Sequence, residues 1–174
     1  MTSRFPSLAY PDVRRYLVAR LLVGFAVQMQ TVAVGWQVYL TTHNPLDLGL
    51  IGLSQFLPFV LLVLPAGHVA DNYDRRRVIF GTYLLAGAAA AALLAYSLSG
   101  FSSVLPIFVI MSLVGIVRAF NMPTNQALLP NLVPRDAYGN AVALNTSTMQ
   151  LATIGGPSLG GVLLIIGTPV VYAI

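Results

Sequence analysis

This chain of 174 residues has very little charge, since only 8% of its residues are Asp, Glu, Lys or Arg. Soluble proteins carry about 25% charged residues, so this composition leaves too few to cover a surface that faces water. Lysine and glutamate are absent, the nine basic residues are all arginine, and the five acidic residues are all aspartate. The hydrophobic fraction of 57% and the mean hydropathy of +0.80 predict a protein embedded in a membrane.

Cysteine is also absent, which excludes disulfides, thiolate metal sites and cysteine nucleophiles. A Gly-x-Ser-x-Gly pattern surrounds Ser158 and matches the nucleophile elbow of hydrolases. That motif requires Asp and His after the serine, whereas both histidines, His43 and His68, precede it. The sequence offers no metal-ligand cluster and no nucleophile–base set. We therefore expect no enzyme activity, no metal and no cofactor.

Long apolar stretches predict an all-α membrane protein, because a membrane-spanning helix needs about 20 mostly apolar residues. A fifth stretch is more polar at its start, and the apolar segment after residue 169 indicates the start of a sixth helix. We predict a lead-in over residues 1–16 and an incomplete six-helix bundle over 17–174, with a naturally complete five-helix protein as the alternative. The five predicted transmembrane helices are 17–40, 48–70, 78–98, 104–128 and 138–166.

The arginines predict the orientation of these helices. Arg4, Arg14 and Arg15 precede the first helix, residues 75–77 lie between the second and third, and Arg135 lies between the fourth and fifth. The connectors after the first and third helices contain no arginine. Because basic loops stay in the cytoplasm, the N-terminus is predicted to be cytoplasmic. Arginines that flank apolar runs favour a lipid bilayer as the partner and no nucleic acid.

The segment 67–77, between the second and third helices, carries two aspartates and three arginines. Gly67 allows a neighbouring backbone to come close. Asp71 can pair with Arg75 or Arg76, or cap the positive end of an adjacent helix. Asp74 is placed to accept hydrogen bonds at the start of the third helix. The alternative is that the arginines only obey the positive-inside rule and bind phosphate headgroups.

This segment resembles the signature loop of major facilitator superfamily transporters. That pattern is Gly, three residues, Asp, a basic residue, any residue, Gly and two basic residues. The chain has the pattern's Gly67, Asp71 and both closing arginines, but has Asn72 for the usual basic residue and Asp74 for the second glycine. The resemblance implies a helical bundle of that superfamily, in which this loop latches two halves together in the outward-facing state.

The fifth predicted helix contains a stripe of small residues. Ala152, Gly156 and Gly160 favour close packing, and Pro157 should kink the helix because it lacks a backbone donor. The segment resembles the antiporter signature of exporters in the superfamily, which ends in Gly-Pro, two residues and Gly-Gly, as here with Gly161 last. The family's earlier glycines are only approximated by small residues. The resemblance favours export, and the alternative is a generic packing stripe.

Polar residues inside the apolar stretches are candidates for a solute pathway. A central membrane arginine costs roughly 3 kcal/mol to insert, so Arg118 should face a partner or a wet cavity. Its position resembles the helix-4 arginine of the family's second motif. The other pathway candidates have an alternative role, because a single amide side chain within the membrane can simply hydrogen-bond between helices. The predicted substrate or ion pathway comprises Arg20, Gln30, Gln37, Arg118, Asn121 and Asn145.

Within the superfamily, the loop and the stretch 118–130 resemble the enterobactin-exporter group and drug–proton antiporters. The resemblance implies the N-terminal half of a bacterial inner-membrane, multi-pass exporter that works by alternating access. Its partners would be a missing C-terminal half, a siderophore, drug or metabolite as substrate, and protons. No Asp or Glu lies within the five apolar stretches, so proton coupling comes from resemblance alone. The alternatives are an uptake carrier and a non-transporting membrane scaffold or fragment.

Overall fold

The computed structural model describes residues 6–100 and 103–174. In this part of the chain the backbone forms six α-helices and two short 3-10 helices, Pro6–Ala9 and Leu129–Asn131, with no strand. The fold is therefore all-α, as predicted. The helices are α1 Pro11–Thr42, α2 Pro45–Asn72, α3 Arg75–Ser99, α4 Leu105–Leu128, α5 Arg135–Leu163 and α6 Thr168–Ala173.

Each of the five predicted stretches is a helix, and the segment predicted to start a sixth is helical too. Among the described residues, α1 to α4 are the four helices that are long and apolar enough to cross a membrane. The fifth, α5, is a continuous helix of 29 residues but falls outside this group. Its first half is rich in hydroxyl and amide side chains. The five predicted long helices are therefore all present. Within the described residues four of them are apolar enough to cross a membrane by composition, so the prediction of five apolar spans is wrong for α5.

The helix α1 begins inside the predicted lead-in. Pro11 is its first residue, where the fixed backbone angle of proline suits a helix, and Asp12 lies in the first turn near the positive end of the helix dipole. Residues 11–16 are therefore the first turns of α1 and not a separate segment. Arg4 lies outside the described residues.

Short connectors separate the helices, and local chemistry sets their ends. His43 adopts the left-handed conformation, with φ of 52°, and donates its backbone N–H to the Tyr39 carbonyl at 2.8 Å. Asn44 then accepts a hydrogen bond from the Leu46 N–H at 3.1 Å and caps α2. At the end of α3, Gly100 also adopts a left-handed φ, 68°, which glycine allows without strain.

Two helix pairs form the frame of the bundle. The helix α2 packs against α4, and α1 packs against α5, while α4 also contacts α3, and α6 contacts α1 and α3. The closest approach is between α2 and α4. A Cβ atom added at Gly115 would collide with the backbone carbonyl of Gln55. Only glycine lets these two backbones come so close.

The buried apolar cluster is formed where α1, α3, α4 and α6 meet, around Val34, Leu93 and Met111. Many large apolar side chains lie on the outside instead, such as Leu64, which is 83% exposed, and Ile165, which is 86% exposed. An outer surface of this kind would be unfavourable in water but suits contact with lipid. The distribution of apolar residues thus agrees with the membrane class predicted from composition.

Candidate transport site and conformational loop

The loop between α2 and α3 is organised by Asp74. Its carboxylate accepts hydrogen bonds from the backbone N–H groups of Arg76, at 2.9 Å, and Arg77, at 3.3 Å, which caps α3. The predicted cap is therefore present. The φ of Asp74 is −61°, an ordinary value that does not require glycine. This explains why aspartate can stand where the family pattern has its second glycine.

The arginines of the loop do not pair as predicted. Arg76 forms an ion pair with Asp12 of α1, with 3.4 Å between guanidinium nitrogen and carboxylate oxygen. Arg75 donates from its Nε to the Ala70 carbonyl at the end of α2, at 3.3 Å. Of the two roles expected for Asp71, the described residues do not make the pairing with Arg75 or Arg76, and the capping of an adjacent helix stays a prediction. Helix α1 supplies a carboxylate that lies 64 positions away in sequence, a contact that local spacing cannot reveal.

Asp71 is left exposed at the edge of an open cleft of about 430 Å³. Residues 71–76 line one side of this cleft and Leu128, Asn131 and Leu132 line the other. Around Gly67, no described atom lies within 4 Å of the place where a Cβ would stand. The close backbone approach predicted at Gly67 is therefore not made by the described residues. The loop, the start of α1 and the α4–α5 connector meet at one end of the bundle. We call it the arginine-bearing end.

The small-residue stripe of α5 packs directly on α1. A Cβ added at Gly156 would lie 2.5 Å from the Gln28 Cβ, and one at Gly160 would lie 3.0 Å from the Met29 Cα. Ala152 is 1% exposed and faces Gly24 on α1. This is the close packing predicted for the stripe. It also agrees with the generic packing alternative, so the contact by itself does not favour export.

The other two residues of the helix-5 motif are less enclosed. Pro157 is half-buried, and α5 continues through it without interruption. Gly161 is exposed, and a Cβ added there would meet no described atom within 4 Å.

Two of the predicted pathway residues, Arg20 and Asn121, belong to one polar cluster between α1, α3 and α4. Arg20 donates to the Tyr16 hydroxyl at 3.3 Å, and that hydroxyl lies 3.5 Å from the Asn125 carbonyl. Asn121 donates to the Thr82 hydroxyl at 3.1 Å. We call Tyr16, Arg20, Thr82, Tyr83, Asn121 and Asn125 the inner polar cluster.

Tyr83 and Asn125 complete the inner polar cluster, although neither was among the predicted pathway residues. Tyr83 lies near the Asn121 side chain and the Arg20 guanidinium. Asn125 is 2% exposed and donates to the Asn121 carbonyl at 2.7 Å and to its side-chain oxygen. The Asn125 Oδ1 and the Arg20 Nε are buried without a partner among the described residues. Buried polar atoms normally have partners, so these two atoms are exceptions within the described part of the chain.

The inner polar cluster lies nearer to one end of the bundle. Arg20 is nine residues from the start of α1, or about 14 Å along the helix axis. Asn125 is three residues from the end of α4, or about 5 Å. Both distances are measured from the arginine-bearing end. The cluster therefore lies in the part of the bundle nearer to the arginine-bearing end.

Three further pathway residues lie elsewhere. Gln37 accepts a hydrogen bond from the Tyr172 hydroxyl at 2.8 Å and so connects α1 to α6. Gln30 is 7% exposed, and its Nε2 has no partner among residues 6–100 and 103–174. Asn145 of α5 is half-buried, and its Oδ1 is likewise unpartnered within those ranges. The described residues therefore bring Arg20 and Asn121 together and leave these three apart, and the pathway over all six residues stays a prediction.

Arg118 stands apart from the other polar residues. It lies thirteen residues from the start of α4 and ten from its end, about 20 Å and 15 Å along the axis. Its side chain is exposed, and its guanidinium carbon lies 5.6 Å from the centre of the Phe59 ring on α2. The ion pairs found among the described residues involve Arg15, Arg76 and Arg77, and not Arg118.

Comparison with known proteins identifies the class. The family of transmembrane secretion effectors in the major facilitator superfamily matches residues 2–174. The chain belongs to this family, which confirms the resemblance inferred from the loop and from helix 4.

Similar proteins include two kinds of siderophore transporter. The chain is 31% identical over 140 residues to a staphyloferrin A transporter of Staphylococcus aureus. That match covers 76% of the chain and 34% of the relative. It is 29% identical over 159 residues to an enterobactin exporter of Shigella dysenteriae. That match covers 91% of the chain and 38% of the relative. An enterobactin exporter of Citrobacter koseri is 30% identical over the same length. The chain thus spans about a third of the length of these relatives. No solved structure gives a significant match.

Proposed function

We propose that this chain forms the N-terminal half of a bacterial inner-membrane exporter that moves a siderophore or similar small solute by alternating access. The observation that carries the proposal is the family match along residues 2–174 together with relatives named as siderophore transporters. In this proposal a C-terminal half completes the transporter. The solute would bind between the two halves, as in other transporters built from repeats.

The open cleft at the arginine-bearing end supports a latch role for the α2–α3 loop. The exposed Asp71 carboxylate has no ion-pair partner among the described residues, and Gly67 beside it is uncovered. Both are therefore free to receive a helix from the second half. A helix N-terminus with its positive dipole end is a suitable partner for Asp71. Making and breaking this contact would switch the transporter between its two faces.

The orientation proposed here keeps the arginine-bearing end in the cytoplasm. Six of the nine arginines lie at that end: residues 14, 15, 75–77 and 135. The opposite connectors, 43–44 and 100–104, have none. This asymmetry follows the positive-inside rule and supports a cytoplasmic N-terminus.

The direction of transport rests on the Gly-Pro-x-x-Gly-Gly sequence of α5 and on the exporter relatives. An uptake carrier of the same superfamily is the second candidate, since the packing of α5 on α1 suits either direction. Coupling to protons would need a titratable group at depth. Every aspartate of this chain lies at a helix end, so such a carboxylate would belong to the other half.

Flux measurements in oriented vesicles test the proposal. The protein expressed from its full reading frame is placed in inside-out membrane vesicles and supplied with labelled enterobactin or staphyloferrin A. Accumulation inside these vesicles is expected for an exporter. Accumulation only in right-side-out vesicles would instead establish the uptake carrier.

Asp71→Asn provides the matched variant for the latch, because it keeps the shape and removes the charge. We expect it to slow flux without lowering the amount of folded protein. Flux that equals the leakage of protein-free vesicles in the wild type, in Asp71→Asn and in Arg118→Gln alike would favour a non-transporting scaffold over a transporter.

A further inference from the structure

A second, smaller cleft lies where the α4–α5 connector meets the first turn of α5, at the arginine-bearing end. It has a volume of about 220 Å³ and is lined by Pro130, Val133, Arg135 and Tyr138. We call it the Arg135 cleft. Clefts that hold drug-sized ligands have volumes of about 300–1,000 Å³. The Arg135 cleft is therefore too small for such a ligand but has room for a smaller polar group.

The two clefts at the arginine-bearing end differ in charge. The larger cleft is lined by two carboxylates and two guanidiniums, which balance each other, namely those of Asp71, Asp74, Arg75 and Arg76. Among the described residues that line the smaller cleft, Arg135 alone is charged. The Arg135 cleft therefore attracts an anion, whereas the larger cleft has no net charge to attract one.

The hydrogen-bond donors of the Arg135 cleft are free. The ion pairs among the described residues do not include Arg135, and its side chain makes no hydrogen bond to any of them. The Tyr138 hydroxyl also makes none within residues 6–100 and 103–174, and Tyr138 is 40% exposed. The Asp136 carboxylate is exposed but does not line the cleft. A guanidinium fork and a phenol hydroxyl in one cleft are donors that suit the oxygens of a phosphate.

The position of the cleft along α5 corresponds to the level of lipid headgroups. The helix α5 has 29 residues, or about 44 Å, and the hydrocarbon core of a bilayer is only about 30 Å thick. A helix of this length that crosses a bilayer reaches into the headgroup layer at both ends. Arg135 is the first residue of α5, and Tyr138 stands about 4.5 Å further along the axis. Tyrosine side chains are enriched at this level of the membrane.

Apolar surface lines the cleft and continues from it along α5. Pro130 and Val133 form part of its lining. Val142, which is 37% exposed, stands one helical turn after Tyr138 on the same face of α5. A dissolved phosphate ion gains nothing from apolar surface, whereas a phospholipid carries acyl chains next to its phosphate. The surroundings of the cleft therefore favour a lipid over a dissolved ion.

We propose that the Arg135 cleft binds the phosphate of an anionic phospholipid, with Arg135 and Tyr138 as the donors to its oxygens. The inference goes beyond the proposed transport function, because it requires only that the bundle lies in a bilayer. Basic pockets between membrane helices bind lipid headgroups in other proteins. No carboxylate lines the described cleft to receive an ammonium group. Phosphatidylglycerol should therefore bind more tightly than phosphatidylcholine.

Native mass spectrometry tests the proposal by counting the lipids that stay bound. The protein expressed from its full reading frame is titrated with phosphatidylglycerol and, separately, with phosphatidylcholine of the same acyl chains. The first phosphatidylglycerol is expected to bind about two- to fivefold more tightly than the first phosphatidylcholine, because the added ammonium is repelled. Inorganic phosphate in excess should not displace the lipid, since it makes no apolar contact.

Substitutions then locate the site. Arg135→Gln should lower the affinity for the first phosphatidylglycerol about tenfold, as expected when hydrogen bonds to a charged group are lost. Arg135→Lys should fall between, because an ammonium keeps the charge but not the fork. Tyr138→Phe keeps the ring, removes one donor and should lower the affinity about threefold.

Arg14→Gln is the matched control. Arg14 is exposed at the same end and has no ion pair in the described chain, but it does not line the cleft. This variant should bind the first phosphatidylglycerol as tightly as the wild type. If Arg135→Gln fails to fold, Arg135→Lys and Tyr138→Phe carry the test, since both keep most of the side chain.

Four results would overturn the inference. Equal losses in Arg14→Gln and Arg135→Gln would indicate a general attraction to the arginines of this end. An unchanged affinity in Arg135→Gln would place the first lipid elsewhere, and equal affinities for the two lipids would contradict the preference for an anion. Displacement of the lipid by inorganic phosphate would assign the cleft to a dissolved ion. Siderophore flux is measured separately, so each of these failures leaves the proposed function standing.

Discussion

The described residues of the bundle form two kinds of surface, which differ in whether the chain's own contacts close them. Some are closed by the chain's own contacts, such as the α2–α4 contact at Gly115 and the inner polar cluster around Arg20. Others are left open, such as the cleft beside Asp71 and the face that carries Arg118. A closed surface contributes to stability because most of its groups are packed or hydrogen-bonded. A charged group on an open surface within the membrane, such as Arg118, needs something else to cover it, whereas water can solvate Asp71 at the helix end.

This contrast separates residues that hold the bundle from residues that act in transport. Substitutions on the closed surfaces should lower the free energy of unfolding, and any loss of transport should follow from that. Substitutions on the open surfaces should change transport while the free energy of unfolding stays nearly constant. Substituting the same type of residue on a closed surface and on an open surface tests whether the two groups of residues differ in this way.

The largest effect is expected at Gly115. In Gly115→Ala the new Cβ would meet the Gln55 backbone, so α2 and α4 must move apart. We expect the free energy of unfolding, measured by SDS titration in mixed micelles, to fall by about 3 kcal/mol. Gly87→Ala is the control, since nothing described lies within 4 Å of that position on α3, and it should be neutral or slightly stabilising. Equal stability of the two variants would contradict the close approach of α2 and α4.

The two membrane arginines give the most direct comparison. Arg20→Gln should lower the free energy of unfolding by about 1–2 kcal/mol, because the hydrogen bond to Tyr16 is lost inside a partly buried cluster. Arg118→Gln should change it by less than about 0.5 kcal/mol, as for other exposed positions without a paired partner. Both values come from the same titration as for Gly115. An Arg118→Gln variant that loses as much stability as Arg20→Gln would place Arg118 among the closed surfaces.

Much of the fold could be predicted because it depends on local patterns. The length of the apolar stretches indicated the helices, and the position of Asp74 before an apolar run indicated the cap of α3. The spacing of Ala152, Gly156 and Gly160 places them on one side of a helix, which predicted the stripe that packs on α1. Each of these inferences needs only residues within one or two helical turns.

The rest depends on how helices rotate against each other, which local patterns do not contain. Asp12 and Arg76 are paired across two helices, and Tyr83 of α3 lies near Arg20 of α1. Gly115 is one of fifteen glycines, and nothing in its neighbourhood distinguishes it before α2 is placed beside α4. The six predicted pathway residues were grouped by polarity alone. In the described part of the chain Arg20 and Asn121 belong to the inner polar cluster, Gln37 contacts α6, and Arg118 lies beside Phe59.

A smaller effect is expected where the first 3-10 helix packs on α5. Ser7 is fully buried, and its hydroxyl donates to the Asn140 side-chain oxygen at 2.6 Å. Ser7→Ala should lower the free energy of unfolding by about 1 kcal/mol and speed amide exchange over residues 6–10. Ser147→Ala is the matched control, because the exposed Ser147 bonds only to the Ala143 carbonyl of its own helix. Unchanged amide exchange in Ser7→Ala would mean that this contact does not hold the segment.

The smallest effect on stability is expected for the ion pair between Asp12 and Arg76. Both side chains are more than half exposed, at 54% and 69%, so solvent screens their attraction. A double-mutant cycle with Asp12→Asn and Arg76→Gln should give a coupling energy of about 0.5 kcal/mol or less, which disappears at high salt. The pair nevertheless joins the start of α1 to the loop that is proposed to switch. A coupling that is larger in transport rate than in stability would therefore assign this pair to the switch, whereas equal coupling in both would make it an ordinary surface contact.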